Sequence, residues 1–351
     1  MRWSSVTLAR PSHESRCTSM ASSDWKQRAA RSLHEDGFCV LRGPLLPAAT
    51  CGECNVVIRE RLQRLLDYAT SHGVDAVIDQ FKSREVCQRG FCARRYDVDM
   101  TECDNDAHLS EEALGDDAWL KALGSVEQRT RETCAWAALM AAIDPWVRPV
   151  IERAEELGRL RSGRAGQDDA SIDATPPIVD APAAGAVVSV PGAREQALHR
   201  DGSDAGLFNA FVPLVDLTAQ NGATQLIPRT HRPQEPHKLQ TLLGRLGRRR
   251  ARGKLPRRAR EAKAVAPLLN RGDILVFDYR TLHQGLPNLT NEWRPIAYIL
   301  YAVNGVRDQH NFPADTTLRD YCERLRTTNA RLDHTIALYD KVRKETAAVL
   351  A

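Results

Sequence analysis

Apolar positions recur at two different periods along this chain, and the change of period divides it. Asp24 to Glu35 reads as a first helix with Ser22 or Ser23 available as its N-cap. A turn at Gly37 and a short apolar strand from Phe38 to Leu41 follow. Pro47 opens a longer helix, in which Ile58, Leu62, Leu65 and Leu66 mark one apolar face and Glu60 and Arg64 fall on the solvated side. Glu111 to Leu157 is again helical in pattern, with interruptions expected at Pro145 and Pro149. The spacing then changes to short apolar or alternating runs. These are Ala186–Pro191, Leu207–Leu217, Thr224–Pro228, Asp273–Tyr279 and Arg294–Val303, with Gly, Pro and Asn between them. Such runs predict the short strands of a sandwich or barrel.

The fold class expected is therefore α+β, a helical N-terminal part covering an antiparallel β core. Its divisions are a leader over 1–23, taken as disordered and outside the fold, and a helical part over 24–161. A loop rich in Ala, Asp and Pro follows over 162–184, then the β core over 185–313 with an insertion at 232–266. A polar, helical C-terminal segment covers 314–351. No internal repeat appears. The leader holds seven Ser, three Arg and one acid, Glu14, a composition open to organelle targeting as well as to a plain leader.

Charge changes this picture at one place. The 351 residues carry 49 Lys+Arg against 45 Asp+Glu, but nine of those bases lie between Arg245 and Arg260 with no acid among them. Set aside those nine and 40 bases face 45 acids, a balance of −5. A general nucleic-acid binder is not expected, and no aromatic residue interleaves the basic segment to stack on bases. The longest apolar run, Cys134 to Ile143, is ten residues, about half of what a spanning helix needs, so no membrane span is expected. Nine cysteines, an odd number without a secretory pattern, point to reduced thiols in an intracellular, cytoplasmic setting. Cys51 and Cys54 have CxxC spacing, but two ligands do not close a zinc site.

Candidate chemistry gathers in the β half. In QALHRDG, strand parity puts His199 and Asp201 on one face, and His283 follows a buried strand in FDYRTLHQG. Two imidazoles and one carboxylate on one face of a metal leave positions open, the arrangement of non-haem Fe(II) oxygenases. Arg294, at the start of the next strand, offers a forked cation for a carboxylate.

Three longer segments carry these residues: SVPGAREQALHRDG, FVPLVDLTAQNGATQLIPRTHR and GDILVFDYRTLHQGLPNLTNEWRPIAYILYAV. Together with the opening LHEDGFCVLRGPL they resemble the phytanoyl-CoA dioxygenase-like branch of the Fe(II)/2-oxoglutarate oxygenases. The resemblance is close over roughly Ala186 to Val303 and thin over Leu33 to Leu45. It implies a double-stranded β-helix of the jelly-roll, cupin-like kind. It also implies His199, Asp201 and His283 as iron ligands and Arg294 as partner of the C5-carboxylate of 2-oxoglutarate. Gln196 and Thr224 are implied as further polar contacts to that cosubstrate; a strand-edge amide and a sheet hydroxyl are the plainer readings. Phe211 lines the same pocket or is simply core. The activity implied is hydroxylation of a small molecule with O2, releasing succinate and CO2. Relatives that halogenate carry a small residue where Asp201 stands. A macromolecular substrate, supported only by the basic segment, and a non-catalytic binding module are the other readings.

Overall fold

In the computed structural model, the described residues are 17–19, 24–74, 83, 85–88, 94–101, 117–163, 176–232, 263–308 and 317–328. In chain order the elements are β1 (Cys17–Ser19), α1 (Trp25–Asp36), β2 (Phe38–Arg42), α2 (Ala48–Ser71), β3 (Val86–Gln88) and β4 (Arg95–Asp99). Then come α3 (Asp117–Leu123), α4 (Val126–Gly163), β5 (Val179–Ser189), β6 (Leu207–Pro213) and β7 (Thr224–Leu226). The last are β8 (Ile274–Asp278), β9 (His283–Gly285), β10 (Arg294–Val303) and a helix α5 over 318–328.

Eight strands form one sheet in the order β1-β2-β8-β6-β10-β5-β4-β3, and β7 pairs with β9 in a second. Every pairing is antiparallel except β1 with β2. This is the mixed helix and antiparallel-sheet architecture of a double-stranded β-helix with helices at both ends.

Strand parity explains why the central strands read as unbroken apolar runs. In β8, Ile274 and Val276 face the helices while Leu275 and Phe277 face the interior of the β core. In β10, Ala297, Ile299, Tyr301 and Val303 face the helices and Ile296 the interior. Both faces of the sheet are buried, so the polar alternation of a half-exposed sheet is lost.

The helices cover the outer face. Helix α1 ends at Gly37, whose φ of 87° is left-handed and whose N–H donates to Leu33 O at 3.0 Å. A side chain there would also meet His231 Nδ1 at 2.5 Å and Thr281 Oγ1 at 2.6 Å, so glycine both turns the chain and admits the loop that precedes β9. Helix α4 is a single helix of 38 residues, not the interrupted one its prolines predict; Pro145 and Pro149 lie inside it. Its apolar face, including Leu139, Ile143, Val147, Val150 and Ile151, shares one core with α1 and α2. The stretch Ala118–Arg159 is long and apolar enough to cross a membrane by length and composition, and this packing accounts for its apolar face. That tertiary packing outweighs the two lost backbone donors. Arg64, expected on a solvated face of α2, instead joins Arg61 on the buried Glu132 of α4, at 2.5 Å and 3.0 Å. One carboxylate with a guanidinium on each oxygen thus pins α2 to α4.

Two divisions expected from composition shift. The N-terminal part is not only helical, since β2, β3 and β4 extend the large sheet and β1, inside the leader, adds its parallel edge. The loop expected over 162–184 is helix up to Gly163 and strand from Val179, with 164–175 outside the described residues. Proline and alanine disguise the start of β5. Pro182 falls where the β5–β10 register shifts, between Ala183↔Leu300 and Asp180↔Ala302, so its missing N–H breaks no regular ladder. The insertion's residues 233–262, with all nine bases, and residues 329–351 also lie outside the described set.

Candidate metal centre

His199 and His283 are held as a cross-strand pair. Each backbone N–H donates to the other's carbonyl, at 3.0 and 2.9 Å, and the ring centroids lie 4.4 Å apart. The two rings are oriented in the same way. His199 Nδ1 lies 2.8 Å from Ala197 O and His283 Nδ1 lies 2.9 Å from Thr281 O. A carbonyl can only accept, so Nδ1 carries a proton in both, and Nε2 is the nitrogen that can offer a lone pair to a metal. Both Nε2 atoms stand 3.6 Å from the same oxygen, Asp201 Oδ1. The other oxygen, Oδ2, accepts from Asn209 Nδ2 at 2.8 Å.

Backbone contacts fix this geometry. Asp201 N donates to Tyr279 O at 3.1 Å, just beyond the end of β8. The segment leading into His283 is anchored by Thr281 Oγ1 donating to Gly37 O at 3.0 Å, and by Leu282 N donating to Thr230 Oγ1 at 2.9 Å. Phe277 backs the His283 ring, with centroids 4.9 Å apart. Two imidazoles and one carboxylate, their ligand atoms all within 4.8 Å of one another, make a donor set that fits a divalent metal. Among the described residues they form the one such group.

The cavity beside the triad is lined by Arg294, Arg95, Gln196, Thr224, Phe211 and Tyr298, with Asp97, Asn209, Tyr279 and Asp308 also on its wall. Arg294 is fully buried. Its Nη2 donates to Ser189 Oγ at 2.8 Å and its Nε to Asn221 O at 3.3 Å, both neutral acceptors. Among the described residues no carboxylate pairs with it. Burial, and next the Arg95 guanidinium, push its proton affinity well below the ordinary arginine value. An anion bound here would relieve that cost.

Arg95 was not legible as a site residue, because its strand β4 did not stand out. In register, Arg95 on β4 pairs with Ser189 on β5, and Ser189 with Arg294 on β10, so the two cations share a row across the sheet. Arg95 Nη2 donates to Leu286 O at 2.8 Å and Arg194 O at 3.1 Å. Gly285 is what admits it, since a Cβ at that position would collide with the guanidinium and stand 2.8 Å from Gln196 Oε1. The alternation Arg95-Tyr96-Asp97-Val98 was the available signal: Tyr96 and Val98 join the helix-side core, and Arg95 and Asp97 line the cavity.

Of the other residues singled out, Gln196 lines the cavity while its Oε1 accepts from Gly285 N at 2.9 Å, and buried Thr224 pairs with Gly285 across β7 and β9. Phe211 lines the cavity and also packs edge-on against Phe277, at 4.8 Å. Cys51 and Cys54 lie apart, buried in α2; Cys54 Sγ donates to Ala135 O at 3.3 Å, and burial pushes its thiol up to about 12. Such a thiol stays protonated at neutral pH.

A model of the family described as phytanoyl-CoA dioxygenase matches residues 33–296, and the chain belongs to that family. Iron and 2-oxoglutarate are the cofactor and cosubstrate of its class, and the chain is an oxygenase of that class. Solved structures similar to it include the epimerase SnoN in complex with Fe3+, α-ketoglutarate and nogalamycin RO. That match has 16% identity, covers 84% of this chain and 94% of that one, and has a TM-score of 0.46. AviO1 from Streptomyces viridochromogenes Tue57 matches at 18% identity, over 82% and 97% of the two chains, with a TM-score of 0.40. The carbocyclase SnoK from nogalamycin biosynthesis matches at 15% identity, over 85% and 95%, with a TM-score of 0.40.

Proposed function

We propose that this oxygenase hydroxylates a small molecule, with His199, Asp201 and His283 holding Fe(II) and Arg294 binding the far carboxylate of 2-oxoglutarate. Iron, when bound, couples decarboxylation of 2-oxoglutarate by O2, to succinate and CO2, with transfer of one oxygen atom to a C–H bond. The chain's own residues do the holding. The two Nδ1–H donations fix the ring orientations and turn both Nε2 atoms inward. Asp201 supplies the negative ligand. Arg95 adds a second positive charge at the Arg294 end of the cavity, and Gln196 and Thr224 supply polar contacts beside it. The observation that carries this reading is Arg294: a buried guanidinium that, among the described residues, bonds to neutral oxygens and to no carboxylate, in the cavity whose wall also holds the triad. Phe211 and Tyr298 give the same cavity an aromatic wall. The free thiols among the described cysteines support an intracellular placement.

Anaerobic titration with Fe(II) and 2-oxoglutarate, followed by admission of O2, tests the enzyme reading directly. Succinate should form slowly without added substrate, and a metabolite mixture should yield a product heavier by one oxygen atom. No iron-dependent succinate under any condition would leave a binding module instead.

The basic segment favours a second reading, an oxygenase acting on nucleic acid. If Arg245 to Arg260 grips phosphates, raising salt from about 50 to 200 mM should weaken binding by about 10³-fold or more for six or more contacts. With the rest of the chain at −5, we expect feeble binding instead, and uncoupled succinate formation that survives deletion of the segment. Tight, salt-sensitive binding lost with that deletion would promote the macromolecular substrate.

A further inference from the structure

Strand β6 is buried along its whole length, and Asn209 interrupts its apolar sequence. Phe208, Ala210 and Val212 face the helices, whereas Asn209 and Phe211 face the cavity. Across the sheet Asn209 pairs with Leu300 on one side and Phe277 on the other, so its neighbours in register offer hydrocarbon. An amide buried in such a row is costly unless it is hydrogen-bonded. Its bond is to Asp201: Nδ2 donates to Oδ2 at 2.8 Å. The direction follows from the partner, because a carboxylate oxygen has no proton to give and can only accept.

The consequence lies in what remains of the carboxylate. With Oδ2 held by Asn209, Oδ1 alone points between the two imidazoles, 3.6 Å from each Nε2. We propose that Asn209 is a positioning residue that fixes Asp201 as a one-oxygen ligand, turning Oδ1 to the metal and keeping Oδ2 off it. This deepens the metal-site reading and rests on it. A carboxylate without that restraint can rotate to present both oxygens, or swing away from the histidines. Either change disturbs the ligand geometry, and the first also occupies a position the cosubstrate and O2 require.

The test is metal affinity, measured apart from turnover. The full chain, stripped of metal, is titrated with Co(II) and followed by its visible absorption, then by competition with Fe(II). The proteins compared are wild type, Asn209→Leu, Asn209→Ala and Asp201→Ala. Leucine keeps the branching and heavy-atom count of asparagine and loses the donor, and alanine serves if the bulkier leucine fails to fold. Loss of such an outer partner should weaken metal binding by about 10- to 100-fold. Thermal melting of the metal-free Asn209→Leu protein should stay close to wild type, because the lost bond is replaced by apolar contact with Leu300 and Phe277. Unchanged Co(II) affinity and spectrum in both Asn209 variants, with binding lost in Asp201→Ala, would overturn the role of Asn209 alone. Equal binding by wild type and Asp201→Ala, or no binding by wild type, would remove the metal site itself and the proposal with it. A large fall in melting temperature with unaltered metal affinity would make Asn209 merely structural.

Discussion

Replacing Asp201 with alanine should abolish iron-dependent succinate formation and weaken metal binding more than any substitution outside the triad. The reason is the asymmetry of the donor set. Imidazole binds a metal as the neutral ring, here turned by the Nδ1 contacts to Ala197 O and Thr281 O, so Asp201 brings the one negative charge of the proposed donor set. Removing it leaves two imidazoles, which are tied to each other by backbone bonds and do not move to compensate. The fall in metal affinity should exceed the roughly 10- to 100-fold typical of losing an outer-shell partner. Folding should survive, because the bond from residue 201 N to Tyr279 O is made by backbone and the side chain keeps some contact with solvent, at 14% exposure. Circular dichroism and a melting curve check this, while succinate is measured in the same preparation. Wild-type succinate formation by a folded Asp201→Ala protein would refute the ligand assignment.

Why this site was legible while its supporting wall was not follows from where the sequence pattern breaks. His283 follows β8 and Arg294 opens β10, segments whose apolar runs are unmistakable because both faces are buried, whereas His199 and Asp201 lie outside the named strands and were marked by their HxD spacing. A polar residue at such a boundary stands out. The phytanoyl-CoA dioxygenase segments lie in the same part of the chain, so motif and periodicity marked the same residues. Strand β4 is the opposite case. Its inward positions are Arg95 and Asp97, which make RYDVD look like exposed loop although all five residues are buried. Charge turned toward an interior cavity defeats a reading that equates charge with solvent. Asn209 was hidden differently, as one polar position inside a run already explained as strand. The start of β5 and the passage of α4 through two prolines were misread because local propensity was outweighed by packing, against β10 and against α1 and α2.

Arg294 gives the second large effect, and Arg294→Lys separates charge from shape. Lysine keeps a positive charge and loses the two-pronged donor, so one of the charge-assisted bonds to a carboxylate goes. A bond of that kind is worth about 1.5–3 kcal/mol, equivalent to a ten- to hundredfold rise in the Michaelis constant for 2-oxoglutarate. The setting adds a dependence on pH. Burial and the Arg95 guanidinium both push a cation at position 294 toward losing its proton. Arginine starts from a much higher value than lysine, and a guanidinium keeps its charge through the working range. A lysine starts from about 10.4, so the same two influences bring it much nearer to neutral pH. The charged, binding-competent form of the variant lies below its shifted pKa and is lost as pH rises through it. Affinity of the variant for 2-oxoglutarate should therefore be best on the acid side and fall with increasing pH, while wild type shows no such step from this residue. Titrating both proteins with 2-oxoglutarate across pH, under anaerobic conditions with the metal bound, reads the two effects together. An Arg294→Lys protein with wild-type affinity at every pH would show that the guanidinium serves the sheet, through Ser189 and Asn221, and not the cosubstrate.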